Sequence, residues 1–138
     1  MVVRGESKMK KILKIVGAIG GTIILGYVGF VLYVYLIVFE NPFNNKEFNK
    51  VEWQKYHKDM NPDNPRGEMF ESLTDDYLKQ GMSKLEVIKL LGKPDFKEEE
   101  NFLSYNLGMW SGFRMDYDSL DLKFSNNGNL VKYYRVQH

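Results

Sequence analysis

Residues 81–94 read GMSKLEVIKLLGKP and decide the fold of the C-terminal part of the chain. Ser83 followed three residues later by Glu86 is the pattern of a capping box, in which each residue's side chain accepts a hydrogen bond from the other's backbone N–H. Gly92 and Pro94 mark the end of the same helix. The segment therefore predicts a short helix with one buried face. The apolar residues of that face are Val87, Ile88, Leu90 and Leu91.

A second helix is predicted immediately upstream, over residues 66–80. Phe70, Leu73 and Tyr77 recur at helical spacing, and Gly81 is the expected C-terminal stop. The turn cluster Asn61-Pro62-Asp63-Asn64-Pro65 separates this helix from an irregular aromatic segment. Residues 40–65 are interpreted as a connector, and the pattern leaves open whether 41–63 packs on the domain or forms a stalk.

The chain beyond the helices alternates apolar and polar residues, which is typical of strands that are covered on one face. The predicted strands are 102–107, 119–124 and 130–136, and Asn127-Gly128 predicts a tight hairpin between the last two. The run Glu98-Glu99-Glu100 predicts a solvated loop. Residues 66–138 are thus expected to form an α+β domain of order ααβββ, with both helices on one face of a three-stranded antiparallel sheet.

These residues resemble the SmpA/OmlA (BamE-like) domain family over residues 66–137. The resemblance rests on Gly81-Met82-Ser83, Glu86-Val87, Leu90-Leu91-Gly92, Pro94, Tyr105-x-Leu107-Gly108, Leu120-x-Leu122-x-Phe124 and Asn127-Gly128. It implies two helices on a three-stranded sheet and a non-catalytic accessory role in the cell envelope. The outer-membrane members of that group are anchored through an N-terminal cysteine, and this chain contains none.

Residues 15–39 form a long stretch without a charged side chain, and five Lys/Arg side chains precede it. A membrane helix needs roughly 20 apolar residues, and the h-region of a cleaved signal peptide has only about 7–15. The stretch is therefore interpreted as an uncleaved transmembrane anchor. By the positive-inside rule the N-terminal segment 1–14 should be cytoplasmic and the C-terminal domain extracytoplasmic. Gly17 and Gly21 form one GxxxG, which allows self-association of this helix but is a weak signal.

Charge and composition narrow the classes of partner. Residues 1–39 carry five Lys/Arg and one Glu, a net charge of +4, so with +1 for the whole chain residues 40–138 carry −3. A mildly acidic domain argues against nucleic acid as a partner. The absence of cysteine excludes disulfides and a thiolate nucleophile.

Residues with catalytic or metal-binding chemistry are sparse in the sequence. His57 and His138 are the only histidines, and neither stands in a recognisable metal-ligand or Ser/His/Asp spacing. No phosphate-cradling glycine loop appears. The sequence therefore predicts no catalytic residue, no metal site and no cofactor, and hence a protein that is not an enzyme.

The segment between the first two predicted strands is unusually apolar for a loop. Residues 109–115 read MWSGFRM, where a two-residue turn would suffice, and Trp and Arg are enriched at binding hot spots. Two interpretations stay open: contact with a partner, or cover for the domain's own sheet. The candidate partner-binding residues are Met109, Trp110, Phe113, Arg114, Met115 and, on the open face of the last strand, Tyr134.

The leading functional hypothesis is a membrane-anchored envelope accessory protein that acts as a protein-interaction module. Two alternatives belong to different classes. The first is a domain that binds a lipid or small ligand at the membrane surface, in a groove between helices and sheet. The second is an inhibitor or regulator of an extracytoplasmic enzyme.

Overall fold

The computed structural model describes residues 3–39 and 41–138, which separate into two compact units at Glu40. Met1, Val2 and Glu40, which belong to the predicted N-terminal segment and connector, lie outside the described residues. The first unit is one helix, α1, Val3–Phe39. Its segment Lys8–Ile37 is long and apolar enough to cross a membrane, by criteria of length and composition that a signal sequence also meets. Gly17 and Gly21 pack against nothing in this structure of a single chain, where a Cβ atom at either position would have no neighbour within 4 Å. Self-association of the helix through these glycines therefore stays a prediction.

The second unit, Asn41–His138, combines short helices with a four-stranded antiparallel sheet. Its α-helices are α2 (Lys50–Lys55), α3 (Phe70–Ser72) and α4 (Lys84–Leu91), joined by 3₁₀ turns at Pro42–Asn44 and Gly67–Met69 and a π-helical turn at Leu73–Tyr77. Its strands are β1 (Lys97–Glu99), β2 (Phe102–Gly108), β3 (Asp118–Phe124) and β4 (Leu130–Gln137), in the spatial order β1-β2-β3-β4. The mixed helix-and-sheet class is as expected, but the numbers of helices and strands differ from the prediction.

Helix α4 confirms the capping box predicted from the sequence. The backbone N–H of Glu86 donates to Ser83 Oγ at 3.2 Å, and the backbone N–H of Ser83 donates to Glu86 Oε2 at 2.7 Å. The hydrogen bonds from Ser83 lower the pKa of the Glu86 carboxyl below its ordinary value. Gly92 ends the helix with a φ of 78°, a conformation that favours glycine.

The helix predicted over residues 66–80 is shorter and irregular. The helical stretch covers only residues 67–77 and passes from a 3₁₀ turn through one α-helical turn to a π-helical turn. Leu78, which follows it, has an extended backbone and a buried side chain. The π-helical turn explains the difference, because the Leu78 N–H reaches back to the Leu73 carbonyl at 2.9 Å and widens the last turn. The expected stop at Gly81 lies in the loop that follows.

Strand β1 corrects the prediction of a three-stranded sheet and of a solvated loop at residues 98–100. Lys97, Glu98 and Glu99 pair with Ser104, Leu103 and Phe102 of β2, and their side chains stay exposed. Charged residues are common on edge strands, which they protect from further pairing. Such a strand has no apolar alternation, so periodicity could not reveal it.

Strands β3 and β4 end and resume where predicted, but the turn between them is not the tight turn that Asn127-Gly128 indicates. The strands end at Phe124 and resume at Leu130, and only Gly128 of the Asn127-Gly128 pair has a positive φ, 77°. A two-residue turn of type I′ needs positive φ at both central residues, so the turn is of a different type.

The expectation that the strands are covered on one face only was wrong for β2 and β3. Leu103, Tyr105 and Leu107 face the core as predicted, and burial raises the pKa of the Tyr105 hydroxyl. The alternate residues are buried as well. These are Ser104, Asn106, Ser119 and Asp121, all on what we call the second face of the sheet. Asn106 Nδ2 donates to the Asp59 carbonyl at 2.9 Å, so part of the second face is covered by the chain that precedes the helices.

The segment that the sequence left open as a possible stalk is part of the compact unit. Trp53 of α2 is fully buried, and the Phe48 ring packs at a tilt against the rings of Trp53 and Tyr77, with centroids 5.8 and 4.8 Å away. The boundary of the domain therefore lies at Asn41 rather than at Arg66.

A buried ion pair joins this segment to the sheet. Arg66 and Asp95 have side chains 0% and 1% exposed, and Arg66 Nη1 donates to Asp95 Oδ2 at 2.6 Å. Arg66 Nε also donates to the Trp53 carbonyl at 2.7 Å, while Asp95 accepts the backbone N–H groups of Lys58 and Asn106. Burial lowers the pKa of Arg66, and the charge of Asp95 acts against that shift.

Replacing Asp95 with alanine should destabilise the compact unit by about 3–5 kcal/mol, because the Arg66 guanidinium would remain buried without its counter-charge. Urea unfolding of the full chain in a non-ionic detergent, followed by tryptophan fluorescence, measures this change. The matched control is Asp63→Ala, which removes the exposed ion pair with Arg114 and should cost less than about 1 kcal/mol. Equal effects of the two variants would contradict the assignment.

Candidate binding site

The loop of residues 109–115 is held by one buried carboxylate at the start of β3. Asp118 is fully buried, and its Oδ2 accepts the backbone N–H groups of Trp110 and Ser111, both at 2.8 Å. Its Oδ1 accepts hydrogen bonds from the Ser111 hydroxyl at 2.6 Å and from Arg135 Nη1 at 3.2 Å. The loop is therefore fixed where it leaves β2, and no pattern in the sequence singled out Asp118 or Arg135.

Trp110 turns inward and covers its own domain, which is one of the two interpretations left open by the sequence. Its Nε1 donates to the Asn64 carbonyl at 2.8 Å, and its ring lies so close to Gly67 that a Cβ atom there would collide with it. The Arg114 guanidinium stacks over the indole at 4.9 Å, donates to the Met109 carbonyl at 2.8 Å, and pairs with Asp63. Trp110 and Arg114 thus fasten the loop to the turn at residues 61–65.

Phe113 and Met115 point away from the domain, with 81% and 76% of their surface exposed. Tyr134 does not join them. Tyr134 lies on the second face, where it pairs with Asp121 across the strands. Asp121 is three positions along β3 from Asp118, so Tyr134 is about 10 Å from the base of the loop. The ammonium groups of Lys123 and Lys132 lie over its ring, 5.7 and 5.3 Å from the centroid. Of the six predicted contact residues, only Phe113 and Met115 form an exposed apolar pair.

The second face of the sheet also carries a cleft of about 410 Å³ that the sequence did not predict. We call it the second-face cleft. Its lining residues are Phe96, Lys97, Phe102, Ser104, Tyr117, Asp121 and His138. They come from β1 to β3 and from the residues that flank the strands, so their sequence spacing shows no pattern. The predicted groove between helices and sheet is instead filled by the core, in which Trp53, Leu73 and Leu91 are fully buried.

Serine, histidine and aspartate meet beside this cleft, but not in the order that activates a nucleophile. Ser119 Oγ lies 2.9 Å from both Asp121 Oδ1 and His138 Nε2. An ionised carboxylate only accepts, so the hydroxyl hydrogen goes to Asp121 and the imidazole donates to Oγ. In a catalytic triad the histidine stands between the other two and takes the hydroxyl proton. Ser119 is also fully buried and out of reach of a substrate.

Metal-binding chemistry finds no support in the described part of the chain, where no three His, Asp or Glu side chains converge. The predicted non-enzymatic character stays a prediction. Comparison with known protein families and with curated proteins gives no match for this chain.

Replacing Trp110 with alanine should destabilise the compact unit by about 3 kcal/mol, because the ring's contact with Gly67 and its bond to Asn64 are lost. Thermal unfolding of the full chain, followed by circular dichroism, measures the change. Phe113→Ala in the same loop is the matched control and should stay within about 0.5 kcal/mol of the parent. A larger loss at Phe113 than at Trp110 would reverse the assignment of inward and outward residues.

Proposed function

We propose that this chain is a non-enzymatic, membrane-anchored accessory protein of the cell envelope, and that its compact unit binds another envelope protein through the tip of the 109–115 loop. The observation that carries the proposal is the exposed pair Phe113 and Met115 on a loop fixed by Asp118 and Trp110. A loop whose backbone is already fixed loses little conformational freedom when a partner covers it. Aromatic residues and methionine are also enriched at protein interfaces.

We also propose that residues 66–137 belong to the SmpA/OmlA (BamE-like) family that the sequence resembles. Supporting this, the helical stretch 67–77, helix α4 and the antiparallel strands β2 to β4 follow one another in the order that the resemblance implies. Strand β1 and the packed segment 41–65 are additions to that pattern.

The proposed topology places the N-terminus in the cytoplasm and the compact unit outside it. It rests on the five cationic side chains that precede the uncharged stretch 15–39 of α1. An uncleaved anchor would keep the compact unit at the membrane, whereas cleavage after a signal sequence would release it.

Single cysteines test this topology, because the chain has no cysteine of its own. In intact cells Val51→Cys should react with a membrane-impermeant maleimide, since Val51 is exposed on α2. Ser7→Cys, the matched variant near the start of α1 and outside Lys8–Ile37, should react only after the cells are permeabilised. The labelled chain should stay in the membrane fraction at full length. Reversed labelling, or a shortened chain outside the membrane, would refute the topology or the anchor.

Photo-crosslinking from Phe113 tests the interaction surface. The full chain with p-benzoylphenylalanine at position 113 should give a discrete crosslinked protein in cells, because the side chain would lie inside the proposed interface. Leu85, an equally exposed apolar residue on α4, is the matched control position and should give none. The crosslink should weaken in the Met115→Ser background. The same product from both positions, or none from position 113, would contradict the proposal.

A further inference from the structure

Three buried aspartates lie in or beside the sheet, and only two of them are paired with an arginine. Asp95 pairs with Arg66, and Asp118 pairs with Arg135. Asp121 is 8% exposed and forms no ion pair with any residue of the described chain. Removing a carboxylate from water is costly unless other groups compensate for its charge. Among the three aspartates, Asp121 is therefore the one without a counter-charge from the described part of the chain.

The hydrogen bonds of Asp121 are confined to one of its two oxygens. Oδ1 accepts the hydroxyls of Ser104 at 2.6 Å and Ser119 at 2.9 Å, and both serines are themselves buried. Oδ2 accepts no hydrogen bond from the described residues. The chain thus holds this carboxylate by one oxygen, and because Asp121 lines the second-face cleft, a donor in the cleft can supply the missing hydrogen bond to the other.

Aromatic rings form the walls of the same cleft. Phe96 packs edge to face with Tyr117 and with the His138 imidazole, at centroid distances of 6.4 and 6.2 Å, and Phe102 lines the cleft from β2. The faces of aromatic rings attract cations, most strongly where water is partly excluded. A cleft lined by a carboxylate and by such rings suits an ammonium group on an apolar stem.

The lysines of the second face form no ion pair with Asp121 in the described part of the chain. Lys97, which lines the cleft, has its Nζ 3.2 Å from Glu99 Oε1 and 5.9 Å from the centre of the Phe102 ring. Lys123 and Lys132 lie over Tyr134. Lys97 is the cation of the chain best placed to compete with a ligand, so its removal should strengthen the binding of an amine and weaken the binding of an anion.

We propose that the second-face cleft binds a small molecule that carries an ammonium group on a short apolar stem. The ammonium donates to Asp121 Oδ2, and the stem packs against Phe96 and Tyr117. This site is separate from the loop tip at Phe113 and Met115, and it does not depend on the proposed protein partner.

Benzylammonium and benzyl alcohol, which share their shape and differ in charge, test the proposal. Both are titrated into the ¹⁵N-labelled full chain in detergent micelles and followed by two-dimensional NMR. Benzylammonium should shift the amide signals of Ser104, Asp121 and His138, and benzyl alcohol should bind far more weakly. Asp121→Asn keeps the size of the side chain and an acceptor for both serines, and should weaken benzylammonium binding roughly tenfold to hundredfold, the loss expected for one charge-assisted hydrogen bond.

Further variants give readouts of their own. Lys97→Gln should tighten benzylammonium binding, and Phe96→Leu, a change at a half-exposed wall residue, should weaken it even if Asp121→Asn does not fold. The variant Phe113→Ser/Met115→Ser should bind like the parent, which separates this site from the proposed protein interface. Equal binding of the amine and the alcohol, unchanged binding in a folded Asp121→Asn variant, or binding of inorganic phosphate that is lost in Lys97→Gln would overturn the proposal.

Discussion

The buried pair of Arg66 and Asp95 is the interaction on which the rest of the compact unit depends. Arg66 contacts the backbone of α2 through the Trp53 carbonyl, and Asp95 accepts the backbone N–H of Asn106 in β2. One ion pair thus ties the segment before the helices to the middle of the sheet. The cost of burying Asp95 is offset because its carboxylate accepts hydrogen bonds from Arg66, Lys58 and Asn106, whereas Arg66 Nη2 has no hydrogen-bond partner among the described residues. It also keeps residues 57–60 against the second face, where they cover Asn106.

Local signals predicted the parts of the fold that local physics determines. The capping box at Ser83, the stop at Gly92 and the apolar faces of β2 and β3 all depend on residues close together in the chain, and each is present as expected. Strand β1 was missed because its residues are charged and exposed, so only its pairing with β2 defines it. The burial of Ser104 and Asp121 was missed because polar residues in alternation indicate a solvated face, unless a distant segment covers them.

The candidate sites were predicted only in part, for the same reason. The composition of the loop left open whether its apolar side chains contact a partner or cover the domain. Trp110 turns inward whereas Phe113 and Met115 are exposed. That difference depends on Gly67 and Asn64, more than 40 positions away from Trp110. The second-face cleft could not be predicted from the sequence, because Phe96, Asp121 and His138 come from separate segments of the chain. Isolated aspartates are ordinary in any sequence, and only their burial distinguishes Asp95, Asp118 and Asp121.

Tyr117 connects the loop to the cleft. It directly precedes Asp118, which fixes the loop, while its ring is a wall of the cleft and its hydroxyl donates to the Met60 carbonyl at 2.9 Å. Asp118 and Asp121 are three residues apart on β3, about 10 Å along the strand, so one rigid strand carries the anchor of the loop and the floor of the cleft. Asp118 is paired with Arg135, so its charge stabilises the fold. Asp121 has no such partner in the described part of the chain. Its charge remains available to a ligand.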